Sequence, residues 1–149
     1  MVKDFSNEPV FKIGEVAKQL RTSVPTLRLY ESAGLIIPFR TKTGHRMYSG
    51  HDLYYLFLIQ DLIKKQKLNL EAIKKLLSII PCWMINKCNY STYHNCSAYT
   101  ENSIPCWLKG DTSCFKSIED CRNCKVYMNC PSILKDPKSL FKLKIPYSD

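Results

Sequence analysis

The stretch Ile13-Gly14-Glu15-Val16-Ala17-Lys18-Gln19-Leu20-Arg21-Thr22-Ser23-Val24-Pro25-Thr26-Leu27-Arg28-Leu29-Tyr30-Glu31-Ser32-Ala33-Gly34 decides the fold of the first half of the chain. Ile13, Val16, Ala17 and Leu20 fall at i, i+3, i+4 and i+7, which places them on one face of a helix over about Ile13 to Leu20. Arg21-Thr22-Ser23 is a short turn. Ser23 can cap a second helix that begins at Val24, and Pro25 is tolerated there because first-turn amides have no helical acceptor. Gly34 closes that helix near Ala33. Two short helices joined by about three residues form a helix-turn-helix, whose second helix can enter a major groove.

Outward from this unit, Leu35 to Tyr48 carries Ile36-Ile37-Pro38 and then basic residues around Thr43-Gly44, the pattern of a small hairpin or wing. A third helix is predicted after Ser49, with Asp52 three residues on in a capping-box position, running to about Lys65. Asn69 is placed to cap a fourth helix with Leu70, Ile73, Leu77 and Ile80 on its apolar face, and Pro81 stops it. Leu53, Leu56, Phe57, Leu62 and Ile63 read as core or helix-packing residues, and Lys64, Lys65 and Lys67 as a solvated helix end.

The helices above predict a mainly α fold class, and composition agrees with a folded chain. Of 149 residues, 45% are apolar and 23% charged, too apolar for a disordered chain. The longest apolar run, Leu53 to Ile59, is far shorter than the roughly 18 residues of a membrane span. Met1-Val2-Lys3-Asp4-Phe5 does not begin an export signal, so the expected location is the cytoplasm and no membrane partner is expected. The net charge is +9, and residues 1–80 hold 13 Lys or Arg against 7 Asp or Glu, so most of the excess sits in the first half. An anionic partner such as a phosphate backbone is implied for that half.

These residues resemble a known family. Phe11-Lys12-Ile13-Gly14-Glu15-Val16-Ala17, Thr26-Leu27-Arg28-Leu29-Tyr30-Glu31, Gly34-Leu35, Arg40 to Tyr48 and Asp52-Leu53 resemble, in order, the DNA-binding domain of the mercury-resistance regulator (MerR) family over about residues 10–80. The resemblance implies a winged helix-turn-helix in a homodimer that binds double-stranded promoter DNA. It also implies control of RNA polymerase, indirectly, through DNA distortion. Carried over by position, it names Arg28 and Tyr30 on the second helix and Arg40, His45, Arg46 and Tyr48 in the wing as DNA contacts. Leu29 and His45 stand where the family usually has Tyr. Family members also follow the fourth helix with a long pairing helix, which Pro81 and the cysteines interrupt here.

All eight cysteines lie after Pro81: Cys82, Cys88, Cys96, Cys106, Cys114, Cys121, Cys124 and Cys130. The segregation predicts two domains, residues 1–80 as the DNA-binding part and 81–149 as a small, irregular, metal-organised or redox-sensing module. Pro81-Cys82-Trp83 is repeated as Pro105-Cys106-Trp107, and Cys121-Arg122-Asn123-Cys124 is a C-x-x-C, a pattern that resembles a two-CW region. Without an export signal, stable disulfides are disfavoured. Metal ligation is the leading reading, with all eight cysteines as candidate ligands. Zinc sites usually show two C-x-x-C knuckles and this chain has one, so an iron-sulfur cluster is favoured and zinc is the alternative. An enzymatic thiol-disulfide role for Cys121 and Cys124 is disfavoured because no βαβ pattern surrounds them. The rival to a sensing regulator is a DNA-binding or interaction protein with purely structural zinc.

Overall fold

The computed structural model describes residues 6–142, so Met1–Phe5, read above for the absence of an export signal, lie outside the described residues. The chain forms two compact units, Met1–Ile73 and Lys74–Asp149. In the first unit, β1 (Phe11–Lys12) leads into α1 (Ile13–Gln19) and α2 (Val24–Ser32); β2 (Phe39–Arg40), β3 (Arg46–Tyr48) and α3 (Gly50–Lys64) follow, and α4 (Leu70–Ser78) begins.

Local chemistry accounts for each helix. The Lys12 amide donates to the Glu15 carboxylate at 2.6 Å, which settles the start of α1. Val16 and Ala17 are its buried residues. Ser23 caps α2 by accepting from the Thr26 amide at 3.2 Å, with Pro25 in the first turn, and Gly34 supplies the left-handed conformation, φ +76°, that ends it. At α3 the Ser49 amide donates to Asp52 Oδ2 at 2.8 Å, and the Asp52 amide donates to Ser49 Oγ at 3.1 Å. Both residues are fully buried, so this capping box is part of the core. Asn69 caps α4, accepting from the Ala72 amide at 2.8 Å.

The core of this unit joins Val16, Leu27, Leu35, Ile36, Tyr48, Tyr55, Leu56 and Ile59. Phe57 departs from the expected core role: it is 50% exposed, because it lies on the face of α3 opposite Tyr55 and Ile59. The wing is an antiparallel sheet of order β1-β3-β2, with Phe11 opposite Tyr48 and Arg40 opposite Arg46. The hairpin tip closes with the Gly44 amide donating to Thr41 O at 2.9 Å, and Gly44 at φ +83°.

The division between units falls inside α4, before the Ile80–Pro81 step. The C-terminal half of α4 is tied to the cysteine-rich segment: Lys75 Nζ and Ser78 Oγ both donate to Asn102 O, at 2.7 and 2.6 Å. The second unit contains α5 (Cys82–Ile85), α6 (Tyr90–Tyr93), α7 (Ser97–Thr100), a 3-10 turn (Cys106–Leu108), α8 (Ile118–Arg122), α9 (Lys125–Lys135) and a second 3-10 turn (Pro137–Lys142). It is small and irregular, as expected, with one addition. Helix α9 buries Val126, Tyr127, Cys130, Ile133 and Leu134, and Trp107 packs edge-on against Tyr127 with ring centroids 5.3 Å apart. An apolar core therefore accompanies the cysteines. Among the described residues no helix is long and apolar enough to cross a membrane.

Candidate nucleic-acid interface

Arg28 of α2, the start of α1 and the hairpin of the sheet border a groove of about 510 Å3 lined by Lys12, Ile13, Arg28, Thr41, Gly44, His45, Arg46 and Met47. Three of the predicted contacts, Arg28, His45 and Arg46, meet there. Arg28 is exposed on α2 and His45 is exposed at the hairpin tip. Lys12 joins them although the sequence reading did not single it out. Its register opposite Met47 in the β1–β3 pair brings it there, and a two-residue strand carries no periodicity that could have announced it.

Arg40 and Arg46 converge on one carboxylate. Glu31, near the end of α2, accepts from Arg40 Nη2 at 2.5 Å and from Arg46 Nε. Arg40 Nη1 also donates to Gly44 O at 3.3 Å. Glu31 is only 17% exposed, so it acts as a partly buried clamp that fixes the wing to the second helix. It holds the two guanidinium groups together and offsets one unit of their charge.

Two of the expected contacts pack inward: Tyr48, at the end of β3, is fully buried, and Tyr30 on α2 is 6% exposed, so both rings belong to the core. Burial raises the phenol pKa of Tyr30. For Tyr48, burial first and then the neighbouring Glu31 carboxylate push it up to about 12. Its hydroxyl is buried and has no hydrogen-bond partner among the described residues. Tyr48→Phe is therefore expected to leave DNA affinity unchanged and stability equal or raised by up to about 1 kcal/mol. The neutral phenol is favoured in the folded state, so wild-type stability is retained below pH 10 and declines as pH rises toward about 12, where the unfolded chain ionises first. The stability gap in favour of the phenylalanine variant should widen over that window in urea titrations. A tenfold loss of DNA affinity would return Tyr48 to the interface.

In the second unit, Cys82, Cys96 and Cys130 are buried, Cys114 is exposed and the other four are half-buried. Cys82, Cys88, Cys96 and Cys114 line one small cavity of about 20 Å3, walled by Trp83, Tyr93 and Tyr99. Trp83 meets Tyr99 edge-on at 4.8 Å and stacks on Tyr93 at 6.2 Å. Cys106 is hydrogen-bonded to Cys82, which holds the Cys82 thiol below its ordinary range and pushes Cys106 up. Burial raises Cys88, with further contributions from Cys114, Cys82, Cys96 and Cys124, and burial raises Cys121 to about 11. The sulfurs are thus near enough to feel one another's charge. In kind, the donors fit a thiophilic metal. In position, among the described residues no three Cys, His, Asp or Glu side chains converge to hold one ion, so ligation requires thiols to close inward. Among the described residues no disulfide joins the cysteines.

Residues 11–79 match the family described as MerR HTH family regulatory protein. Over 77 residues the chain is 38% identical to the HTH-type transcriptional regulator GlnR of Bacillus anthracis, which is 52% of this chain and 59% of that protein. It is 34% identical over 71 residues to the putative heat shock protein HspR of Streptomyces coelicolor, 48% of this chain and 47% of that one. It is 38% identical over 71 residues to the mercuric resistance operon regulatory protein of Bacillus cereus, 47% of this chain and 53% of that one. The chain thus spans about half the length of the curated relatives it matches, and the family match ends at residue 79, before Cys82. No solved structure matches the chain. With β1, the two short helices and a clamped wing arranged around a basic groove, residues 11–79 are a MerR-family helix-turn-helix domain.

Proposed function

We propose that the chain is a sequence-specific transcription regulator that binds double-stranded promoter DNA as a homodimer and acts on RNA polymerase indirectly, by distorting the promoter. The observation that carries this reading is the basic groove in which Arg28 of α2 meets Lys12 and Arg46 of the sheet. Helix α2 supplies base-edge contacts, and the wing supplies phosphate contacts that set register.

Arg46→Ala tests the wing. On a duplex selected by the protein from a random pool, affinity should fall for every sequence, and the slope of log K against log salt should flatten by about one unit. Unchanged affinity and slope would remove the wing from the interface.

The signal is proposed to enter through a thiolate-bound metal centre in the second unit. When bound, an iron-sulfur cluster would supply a redox-variable charge held by cysteine ligands. The single C-x-x-C favours that cluster over zinc. A second reading, structural zinc, is favoured by the four thiols of Cys82, Cys88, Cys96 and Cys114 that line one small cavity. Absorption of anaerobically purified protein separates them, since a cluster gives visible bands and zinc gives none. In vitro transcription from an occupied promoter, before and after oxidation or metal removal, tests the control. A transcript level indifferent to every treatment would make the unit structural.

A further inference from the structure

Resting on the homodimer part of that reading, we propose that two copies of the chain meet through an uncharged aromatic face of the second unit, formed by Tyr90, Tyr93 and His94 of α6 and its cap and by Tyr99 of α7. Tyr90, Tyr93 and His94 fall at i, i+3 and i+4, so one helical turn presents them together. Tyr90 stacks on His94 with ring centroids 4.8 Å apart and meets Tyr93 edge-on at 5.5 Å. Tyr99 lies 5.1 Å from Tyr93 and 5.9 Å from His94, and Trp83, in contact with Tyr93 and Tyr99, completes the cluster. Tyr90 is 64% and Tyr99 40% exposed, and His94 is exposed as well. Contiguous exposed rings of this kind mark an interaction surface.

Charge selects the partner. Each copy carries +9, so two copies repel wherever their basic surfaces face each other. Residues 88–100, which carry Tyr90 to Tyr99, contain no Lys, Arg, Asp or Glu, although 23% of the chain is charged. Depletion of charge with enrichment of Tyr and Trp is the mark of the core of a protein interface. A contact between identical copies about a twofold axis also needs a patch that is complementary to itself. Tyr, His and Asn side chains meet that need, since each both donates and accepts hydrogen bonds, and a ring edge can pair with the equivalent ring face across the axis. An acidic partner protein would find no cation within this stretch to pair with.

The face is also ordered in advance. Asn89 Oδ1 caps α6 by accepting from the Thr92 amide at 2.9 Å, and Ser97 Oγ at the start of α7 donates to Asp111 Oδ1 at 2.7 Å. With the rings already packed on one another, pairing costs little side-chain entropy.

Sedimentation equilibrium of the full chain, purified anaerobically and kept under reductant so that no disulfide links copies, measures the dimer dissociation constant. Tyr90→Glu and Tyr99→Glu should each raise it about tenfold or more, because the symmetry brings two new carboxylates into one uncharged contact. Tyr90→Phe keeps the ring and should keep the dimer. Phe57→Glu, an equally drastic change at an exposed ring of the first unit, should leave the constant unaltered. Far-UV circular dichroism checks folding. Hydrogen exchange of the wild-type chain, above and below its dissociation concentration, needs no variant: amides within 88–100 should gain protection in the dimer. Unchanged dissociation constants in the folded glutamate variants, or protection confined to other segments, overturns the assignment while the homodimer reading stands, and leaves the face to a different partner. A wild-type chain that is monomeric both free and on the selected duplex overturns the homodimer reading itself, and the assignment with it.

Discussion

Trp107→Ala is expected to destabilise the second unit by about 3–5 kcal/mol, the range for emptying a buried aromatic site. Trp107 is 2% exposed and meets Tyr127, itself buried, edge-on at 5.3 Å and 90°. Truncation removes the dispersion contacts of the indole and leaves a void between the 3-10 turn and α9 that their backbones cannot close. Trp83, the tryptophan of the matching Pro-Cys-Trp unit, is half-buried on the wall of the thiol cavity, so Trp83→Ala should cost less. The two copies of one motif thus serve different ends. Urea unfolding of metal-free protein, followed by hydrogen exchange resolved along the chain, measures both variants. The DNA affinity of the first unit should be unaffected. A cost under about 1 kcal/mol for Trp107→Ala would mean that thiol chemistry, rather than this core, holds the unit together.

Arg28→Ala is expected to weaken binding to the selected duplex by about 1–3 kcal/mol, roughly 5- to 150-fold. Arg28 projects from α2 into the groove, in the position from which a helix-turn-helix reads a base edge. A bidentate contact to guanine is lost only where that base is present, so binding to a random duplex should change much less. This separates Arg28 from Arg46, whose loss acts on all sequences through phosphate. Equal weakening on selected and random duplexes would reduce Arg28 to a phosphate contact. Its neighbour Glu31 provides the structural control: the carboxylate engages Arg40 and Arg46 of the wing, leaving Arg28 to face the groove.

The legible part of this protein was local. Ser23, Ser49 with Asp52, and Asn69 each cap a helix by reaching an amide three residues away, a distance that a sequence displays directly. The i, i+3, i+4 spacing of Ile13, Val16 and Ala17 likewise anticipates α1, and Gly34 marks the end of α2 because only a glycine takes φ +76° without strain. The concentration of charge before Pro81 and of sulfur after it also needed no structure.

What the sequence by itself determined was therefore the identity of the elements in the first unit, their caps, and the separation of basic from cysteine-rich chain, because these depend on neighbours within a turn or two. Tertiary structure alone decided the rest. It turned Tyr30 and Tyr48 inward and Phe57 outward, since a periodic pattern does not say which partner will cover a face. It joined Glu31 to arginines nine and fifteen residues away, and brought Lys12 into the groove through the pairing of β1 with β3. It divided the chain within α4, where Lys75 and Ser78 bond to Asn102. It also gathered Cys82, Cys88, Cys96 and Cys114 around one cavity while committing Cys130 to the interior of α9. Spacing along a chain bounds how far two sulfurs can be apart, but which of them meet depends on how the intervening helices pack.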